Sequence, residues 1–144
     1  MQNSYNGKII RADLTKGEIS YEQLDPDILK KYIGGAGLAA KIVWDETTAD
    51  TDPLAPESPL IFMTGPLTGT IVPMSGRHAI CGLSPLTGIW GQAHSGGYWA
   101  DEIRHAGFEG IVIKGKSKKP VYIWIQGEKA EIRDASHLWG KDTY

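Results

Sequence analysis

Glycine interrupts the middle of this chain at short intervals, which limits the length of any strand or helix there. The sequence of 144 residues holds 18 glycines, most of them between Gly34 and Gly115, where they alternate with apolar residues and prolines. Short apolar runs bounded by such turn residues are typical of antiparallel strands. The pattern also suits a surface where backbone approaches a large flat ligand, because glycine has no Cβ. The composition leaves both interpretations open.

The order of apolar and turn segments predicts an α+β domain, predominantly antiparallel β-sheet with a few helices. A hairpin is expected over residues 8–22 and a first helix from Pro26, since proline favours the first helical position. A second helix is expected over residues 38–45, and a third directly after Gly97 with Arg104 on its exposed side. Further strands are predicted over residues 60–64, 77–83, 88–92, 110–114, 121–125 and 130–132.

Charge and hydropathy argue against several classes of partner. A formal net charge of -2 predicts neither a nucleic-acid partner nor attachment to an anionic membrane. The apolar runs are too short to span a bilayer. The residues after Met1 lack the basic and apolar segments of a secretory signal, so a cytoplasmic location is expected. The single cysteine, Cys81, lies in an apolar strand and is expected to be a buried, inert thiol.

The clearest functional signal is the polar, glycine-containing segment from Gln92 to Trp99. We interpret it as a tight turn that runs into a helix, so that backbone N–H groups and the helix N-terminus together favour an anion such as phosphate. His94 lies inside this turn. Its side chain can hydrogen-bond a ligand, transfer a proton near neutral pH, or serve only the structure of the turn.

Arg77 is a second candidate for an anion site. It follows Ser75-Gly76 at the start of a predicted strand, and arginine binds phosphate through paired, charge-assisted hydrogen bonds. If strand 77–83 lies beside strand 88–92, Arg77 and the turn at residues 94–97 can face one ligand. A surface ion pair is the alternative role for this side chain.

Two other glycine-rich segments resemble nucleotide-binding motifs only in part. Gly34-Gly35-Ala36-Gly37 follows a predicted helix, whereas a dinucleotide fingerprint follows a strand, so a helix end and a helix start are the better interpretation. The segment from Gly65 to Thr70 lacks the Gly-Lys-Ser/Thr ending of a P-loop. It remains either a structural turn or a place of close backbone approach.

Several longer motifs occur in order over nearly the whole chain. They are Leu14-Thr15-Lys16-Gly17, Gly65-Pro66-Leu67-Thr68-Gly69-Thr70, Ser75-Gly76-Arg77, Ser84-Pro85-Leu86-Thr87-Gly88, Ser95-Gly96-Gly97-Tyr98, Lys119-Pro120-Val121-Tyr122-Ile123 and Glu131-Ile132-Arg133-Asp134-Ala135-Ser136-His137-Leu138-Trp139-Gly140-Lys141. Together they resemble the amino-terminal domain of the aldehyde:ferredoxin oxidoreductase family.

The resemblance implies a specific architecture and chemistry. Enzymes of this family oxidise aldehydes to carboxylic acids and pass the electrons to ferredoxin. Tungsten, or molybdenum in some relatives, is held by the dithiolene sulfurs of two pterin cofactors. The amino-terminal domain is a base of two β-sheets on which this bis-pterin lies, while later domains supply the cysteines of a 4Fe-4S cluster and the residues around the aldehyde.

The resemblance also implies roles for individual residues. Arg77 and the turn formed by Ser95, Gly96 and Gly97 match positions that contact the pterin and its phosphate. His94 stands where the best-known members carry Asn, at a position that offers its main-chain carbonyl to a magnesium ion bridging the two pterin phosphates. No catalytic residue is expected within this chain.

Residues 1–144 are expected to form one domain that is truncated at its carboxy-terminal end, because the family's amino-terminal domain and its cluster cysteines extend beyond Tyr144. The chain alone is therefore expected to be inactive, as one wall of the cofactor site in a longer enzyme. The alternative is a non-catalytic domain that keeps the same fold as an interaction module or as the interface of a homo-oligomer.

Overall fold

A computed structural model describes residues 4–142, so the predictions that concern the start at Met1 and the end at Tyr144 lie outside the described residues. Within this part, the helices and strands are β1 (Lys8–Asp13), β2 (Glu18–Gln23), α1 (Pro26–Tyr32), α2 (Gly35–Glu46), β3 (Leu60–Thr64), β4 (His78–Leu83), β5 (Trp90–Ser95), α3 (Trp99–His105), β6 (Gly110–Lys114), β7 (Val121–Gln126) and β8 (Lys129–Asp134). None of the described helices is long and apolar enough to cross a membrane.

The strands form a six-stranded sheet, in the order β2-β1-β6-β3-β4-β5, and a separate β7-β8 hairpin. Among the described strands, β1 and β6 pair in parallel and every other pair is antiparallel. The predicted α+β class and the two mainly antiparallel sheets are therefore confirmed. Because β5 lies at the edge of the large sheet, half of its backbone polar groups face away from β4.

Both faces of the large sheet are covered, and each cover has its own apolar cluster. Ile9 and Ile10 are successive residues of β1, and both side chains are fully buried because strand side chains alternate between faces. Ile9 belongs to the cluster beneath α1 and α2, with Leu38 and Met63. Ile10 belongs to the opposite cluster, whose other buried members are Ile103, Phe108, Ile111 and Ala130.

The start of α1 and the burial of Cys81 both agree with the predictions from the sequence. Asp25 caps α1 by accepting the Asp27 N–H at 2.8 Å, and Pro26 occupies the first helical position. The side chain of Cys81 is buried in β4, and this burial raises the pKa of its thiol to about 11. The thiol is therefore protonated at neutral pH, in agreement with the expected inert cysteine.

Among the predicted elements, β5 and α2 differ most from their predicted bounds. β5 continues to Ser95, so His94 lies in a strand and not in the predicted turn, because residues 90–95 pair with β4 along their whole length. Polar side chains are tolerated there because β5 is an edge strand with an exposed face. α2 begins at Gly35, not at residue 38, since Gly34 already accepts the first helical hydrogen bonds.

The prediction that Arg104 is exposed was wrong. Arg104 Nη1 donates to the carboxylate of the equally buried Glu109, and Nη2 donates to the Ser4 carbonyl. The other oxygen of Glu109 accepts the backbone N–H groups of Asn6 and Gly7 at 2.6 Å and 3.0 Å. This pair offsets the cost of burying either charge alone and fixes the start of the chain on α3.

Candidate functional site

Arg77 lies at the open end of the β4-β5 pair, next to the glycines that follow β5. His78 pairs with Ser95, and a Cβ built on Gly96 would stand 3.9 Å from Nη1 of Arg77. The exposed Arg77 side chain has no ion-pair partner among the described residues. The sequence analysis required the strand that follows Arg77 to lie beside the strand that precedes the glycines. The pairing of β4 with β5 meets this condition, so one ligand can contact both Arg77 and residues 94–97.

A cleft of about 490 Å³ opens beside Arg77, within the range of roughly 300–1,000 Å³ typical of small-molecule sites. Three parts of the fold form its walls: the start of α2, the loop that joins β3 to β4, and the β4-β5 pair. The lining residues are Ile33, Gly35, Ala36, Met63, Gly65, Pro66, Leu67, Thr68, Val72, Pro73, Met74, Ser75, Arg77, His78, Ala79 and His94.

The loop over residues 65–76, called here the cleft loop, forms most of one wall. The buried Thr68 joins its two ends, because its hydroxyl donates to the Arg77 carbonyl and accepts the Gly65 N–H, both at 3.3 Å. A further backbone bond of 2.9 Å runs from the Arg77 N–H to the Ser75 carbonyl. The segment from Gly65 to Thr70 is thus a wall of the cleft as well as a turn.

Backbone strain is concentrated at this cleft. Ile33 and Met74 line it, and they are the two non-glycine residues with positive φ within residues 4–142 (67° and 63°). Ile33 is the centre of a γ-turn closed by the Gly34 N–H and the Tyr32 carbonyl at 2.7 Å, with ψ of -49°. Such conformations cost about 1–3 kcal/mol and occur preferentially at functional sites.

The first residues of α2, Gly35 and Ala36, line the same cleft. Gly34 caps the helix without a side-chain hydrogen bond, and the N–H groups of Gly35 and Ala36 have no acceptor inside the helix. The sequence predicted only a helix end and a helix start here. Gly34 and Gly35 indicated the helix boundary in the sequence. Their position beside the cleft depends on how α1 and α2 pack against the sheet, which the sequence pattern does not reveal.

His94 and Ser95 occupy the last positions of β5. The exposed His94 ring has Nε2 at 3.4 Å from the amide nitrogen of Gln92, and Ser95 donates its hydroxyl to the Gly96 carbonyl at 3.3 Å. Gly97 has φ of 98°, a conformation that favours glycine. No group of three His, Cys, Asp or Glu side chains placed to hold a metal ion occurs among residues 4–142.

His78 lies beneath the site and is almost fully buried, at 7% exposure. Its ring packs against Trp99, with centroids 4.5 Å apart, and lies 6.4 Å from Phe62, which itself contacts Trp99 at 5.7 Å. Burial lowers the pKa of His78, and the charges of Arg77 and His94 lower it further. Both effects favour the neutral imidazole, and His78 forms no ion pair with a carboxylate among residues 4–142.

The comparisons with known proteins agree on one family. Residues 9–144 match the profile of the family described as "Aldehyde ferredoxin oxidoreductase, N-terminal domain". The tungsten-containing aldehyde ferredoxin oxidoreductase of Pyrococcus furiosus is 48% identical over 94% of the chain. The corresponding protein of Thermococcus kodakarensis is 46% identical over 94% of the chain.

Relatives with other named substrates are also similar. The WOR-like subunit of the aliphatic sulfonate oxidoreductase of Pyrococcus furiosus is 40% identical over 95% of the chain. A solved structure, the active site complex BamBC of benzoyl coenzyme A reductase with 1,5-dienoyl-CoA, superposes with a TM-score of 0.95 at 41% identity and covers 98% of the chain. The chain spans 22% of the length of each of these four proteins.

Proposed function

Because the chain belongs to the aldehyde ferredoxin oxidoreductase family, we propose that it forms the pterin-binding wall of an oxidoreductase that converts aldehydes to carboxylic acids. The observation that carries the proposal is the position of Arg77. Its guanidinium, which forms no ion pair with a residue in the range 4–142, lies near the open glycine backbone at Gly96 and borders the cleft. This arrangement suits a ligand with an anionic end.

The walls of the cleft also suit the flat part of such a ligand. Leu67, Val72 and Met74 line the cleft and are exposed, so a ring system that packs on them removes apolar surface from water. Gly35 and Ala36 at the start of α2 also line the cleft, where their N–H groups would act as donors. A pterin with a phosphate tail combines a flat polar ring with an anion and fits this set of donors and apolar side chains.

Each residue of the site has a proposed role. Arg77, with the backbone of Ser95, Gly96 and Gly97, would hold the pterin phosphate. The main-chain carbonyl of His94 would serve as a ligand for the magnesium ion of the cofactor, which its location on an edge strand permits. When bound, the bis-pterin supplies the tungsten or molybdenum at which the substrate is oxidised. The chain's own residues bind and orient this group and exclude water from one side of it.

The rest of the enzyme is proposed to lie on a longer polypeptide. The chain spans only 22% of the length of its tungsten-containing relatives, so we propose that residues 1–144 are one part of a domain and are inactive alone. The 4Fe-4S cluster, the aldehyde site and the docking site for ferredoxin would belong to the remainder. A cytoplasmic location also stays a prediction.

The test compares the complete gene product with its Arg77→Ala variant, and tungsten, molybdenum and pterin are measured in the purified proteins. We expect the wild type to contain metal and pterin and the variant to lose most of both. Lys118→Ala removes a positive charge from an exposed loop that does not line the cleft, and it should retain them. A complete gene product without either component would refute the proposal.

A second candidate function is an interaction or homo-oligomerisation module. Trp44 of α2 is 82% exposed and borders an apolar groove of about 690 Å³ with Leu83 and Trp90, and exposed apolar surface of this kind favours association. Sedimentation of the complete gene product and its Trp44→Ser variant distinguishes the two functions. Normal pterin content in Arg77→Ala, together with loss of an oligomer in Trp44→Ser, would favour the interaction module.

A further inference from the structure

Two side chains of helix α3 form hydrogen bonds with the backbone N–H and carbonyl of Gly69 in the cleft loop. The Gly69 N–H donates to Asp101 Oδ1 at 3.0 Å, and the Gly69 carbonyl lies 3.2 Å from His105 Nε2, so His105 is the donor. Asp101 and His105 are four residues apart and therefore lie on the same side of α3. Gly69 has φ of 71°, and a Cβ there would stand 3.1 Å from the Arg104 Cβ. The contact therefore requires glycine.

The Asp101 carboxylate also lies close to Gly76, the residue directly before Arg77. A Cβ built on Gly76 would stand 3.1 Å from Asp101 Oδ2 and 3.5 Å from the Gly97 carbonyl. Asp101 is thus hydrogen-bonded to the loop at Gly69 and leaves little room for a side chain at Gly76. The residue that follows Gly76 is the arginine of the proposed phosphate site.

Asp101 and His105 are separate from the cleft itself, since neither lines it. They act on the loop that forms its wall, while Thr68, the neighbour of Gly69, bonds to the Arg77 carbonyl. A chain of direct contacts therefore runs from α3 through Gly69 and Thr68 to Arg77. Asp101 also lies close to Gly76, the residue directly before Arg77.

We propose that Asp101 and His105 are positioning residues of the cofactor site. They fix the cleft loop so that the Arg77 guanidinium is preorganised for the pterin phosphate, without touching the cofactor. This inference rests on the proposed function. Its physical basis is that a preorganised binding group loses less conformational freedom when the ligand binds.

The test uses Asp101→Ala and Asp101→Asn in the complete gene product, with Glu102→Ala as the matched control. Glu102 is the exposed neighbour on α3, so its removal changes the charge equally without a loop contact. Asn keeps an oxygen that can accept the Gly69 N–H. Because the loop then loses a hydrogen bond to a charged group, we expect Asp101→Ala to lose pterin roughly tenfold faster than wild type. Asp101→Asn and Glu102→Ala should retain it.

Hydrogen exchange provides a readout that is independent of the cofactor. Residues 65–76 should exchange faster in Asp101→Ala than in Glu102→Ala, while the strands of the large sheet keep their protection. If Asp101→Ala does not fold, His105→Phe removes the other contact and His105→Gln restores a donor. The Phe variant should then reproduce the faster pterin loss, and the Gln variant should reverse it.

Arg77→Ala separates failure of this inference from failure of the proposed function. If Arg77→Ala loses pterin while Asp101→Ala matches Glu102→Ala, the positioning role is refuted and the cofactor site stands. Equal losses in Asp101→Asn and Asp101→Ala would also refute the hydrogen-bond role. If Arg77→Ala keeps its pterin, the proposed function fails, and the positioning role fails with it.

Discussion

Gly96 leaves open the space next to the Arg77 guanidinium: a Cβ there would stand 3.9 Å from Nη1, an ordinary van der Waals contact. A methyl group therefore fits without displacing the arginine. A larger side chain would occupy the approach that an anion needs to reach Nη1. Substitutions of Gly96 therefore test whether the proposed phosphate site needs free space beside Arg77, just as substitutions of Arg77 test whether it needs the positive charge.

Gly96→Val is expected to lower the pterin content of the complete gene product while the fold is retained. The two added methyl groups compete with the phosphate for the space near Arg77, whereas φ of Gly96 lies outside the region that requires glycine. We expect the free energy of unfolding to change by less than about 1 kcal/mol. Pterin content and thermal unfolding are the measurements. Gly96→Ala should lie between wild type and Val, and normal pterin in Gly96→Val would exclude close contact at this glycine.

Glu109→Gln is expected to destabilise the chain by about 3–5 kcal/mol, because it leaves the buried Arg104 guanidinium without a counter-charge. Urea unfolding of the chain provides the measurement. The double variant Arg104→Met/Glu109→Gln should lose less than the two single variants together, since no buried charge remains. The control is Glu131→Gln, which breaks an exposed ion pair with Arg133 and should change little. Additive losses in the double variant would contradict a coupled pair.

The parts of the fold that depend on residues close together in the sequence were predictable from the sequence. Asp25 and Pro26 define the start of α1 through a side-chain cap and a fixed φ. The parallel pairing of β1 with β6 was not predictable, because it joins residues about a hundred positions apart. Local patterns indicate where strands occur, but they carry no information on which distant strands become neighbours.

Some residues of the candidate site were also predictable from the sequence, and others were not. Arg77 and the glycines after β5 could be singled out by their chemistry, and one pairing of adjacent strands brings them together. Ile33 was missed because its strained γ-turn follows from the packing of two helices. Arg104 was placed on the exposed side of α3, since its partner Glu109 lies beyond the helix and its contact with Ser4 is long-range.

Ile33→Gly is expected to stabilise the chain by about 1 kcal/mol. Glycine adopts the positive φ of residue 33 without the clash of a β-branched side chain, and this gain exceeds the added entropy of the unfolded chain. Ile71→Gly is the matched control, because Ile71 is fully exposed in the cleft loop and has no positive φ. It should destabilise the chain, and the midpoint of urea unfolding reports both effects. Equal destabilisation by the two variants would show that Ile33 is unstrained.

His78→Phe is expected to remove part of the pH dependence of stability. Burial lowers the pKa of His78 below its ordinary value of 6.5 in the folded chain, so the unfolded chain binds this proton more readily. The free energy of unfolding should therefore fall as the pH drops below about 6.5 and level off below the folded pKa. Phe fills the same space beside Trp99 and Phe62 without a titrating group.

The measurement is urea unfolding of both chains at several values between about pH 8 and pH 5, a range that spans histidine titration. The difference between wild type and His78→Phe should be constant above about pH 6.5 and should move in favour of the variant at lower pH. His137→Gln replaces an exposed histidine and should keep the dependence seen in the wild type. Parallel curves for the wild type and His78→Phe would mean that the buried imidazole accepts a proton as readily in the folded chain as in the unfolded chain.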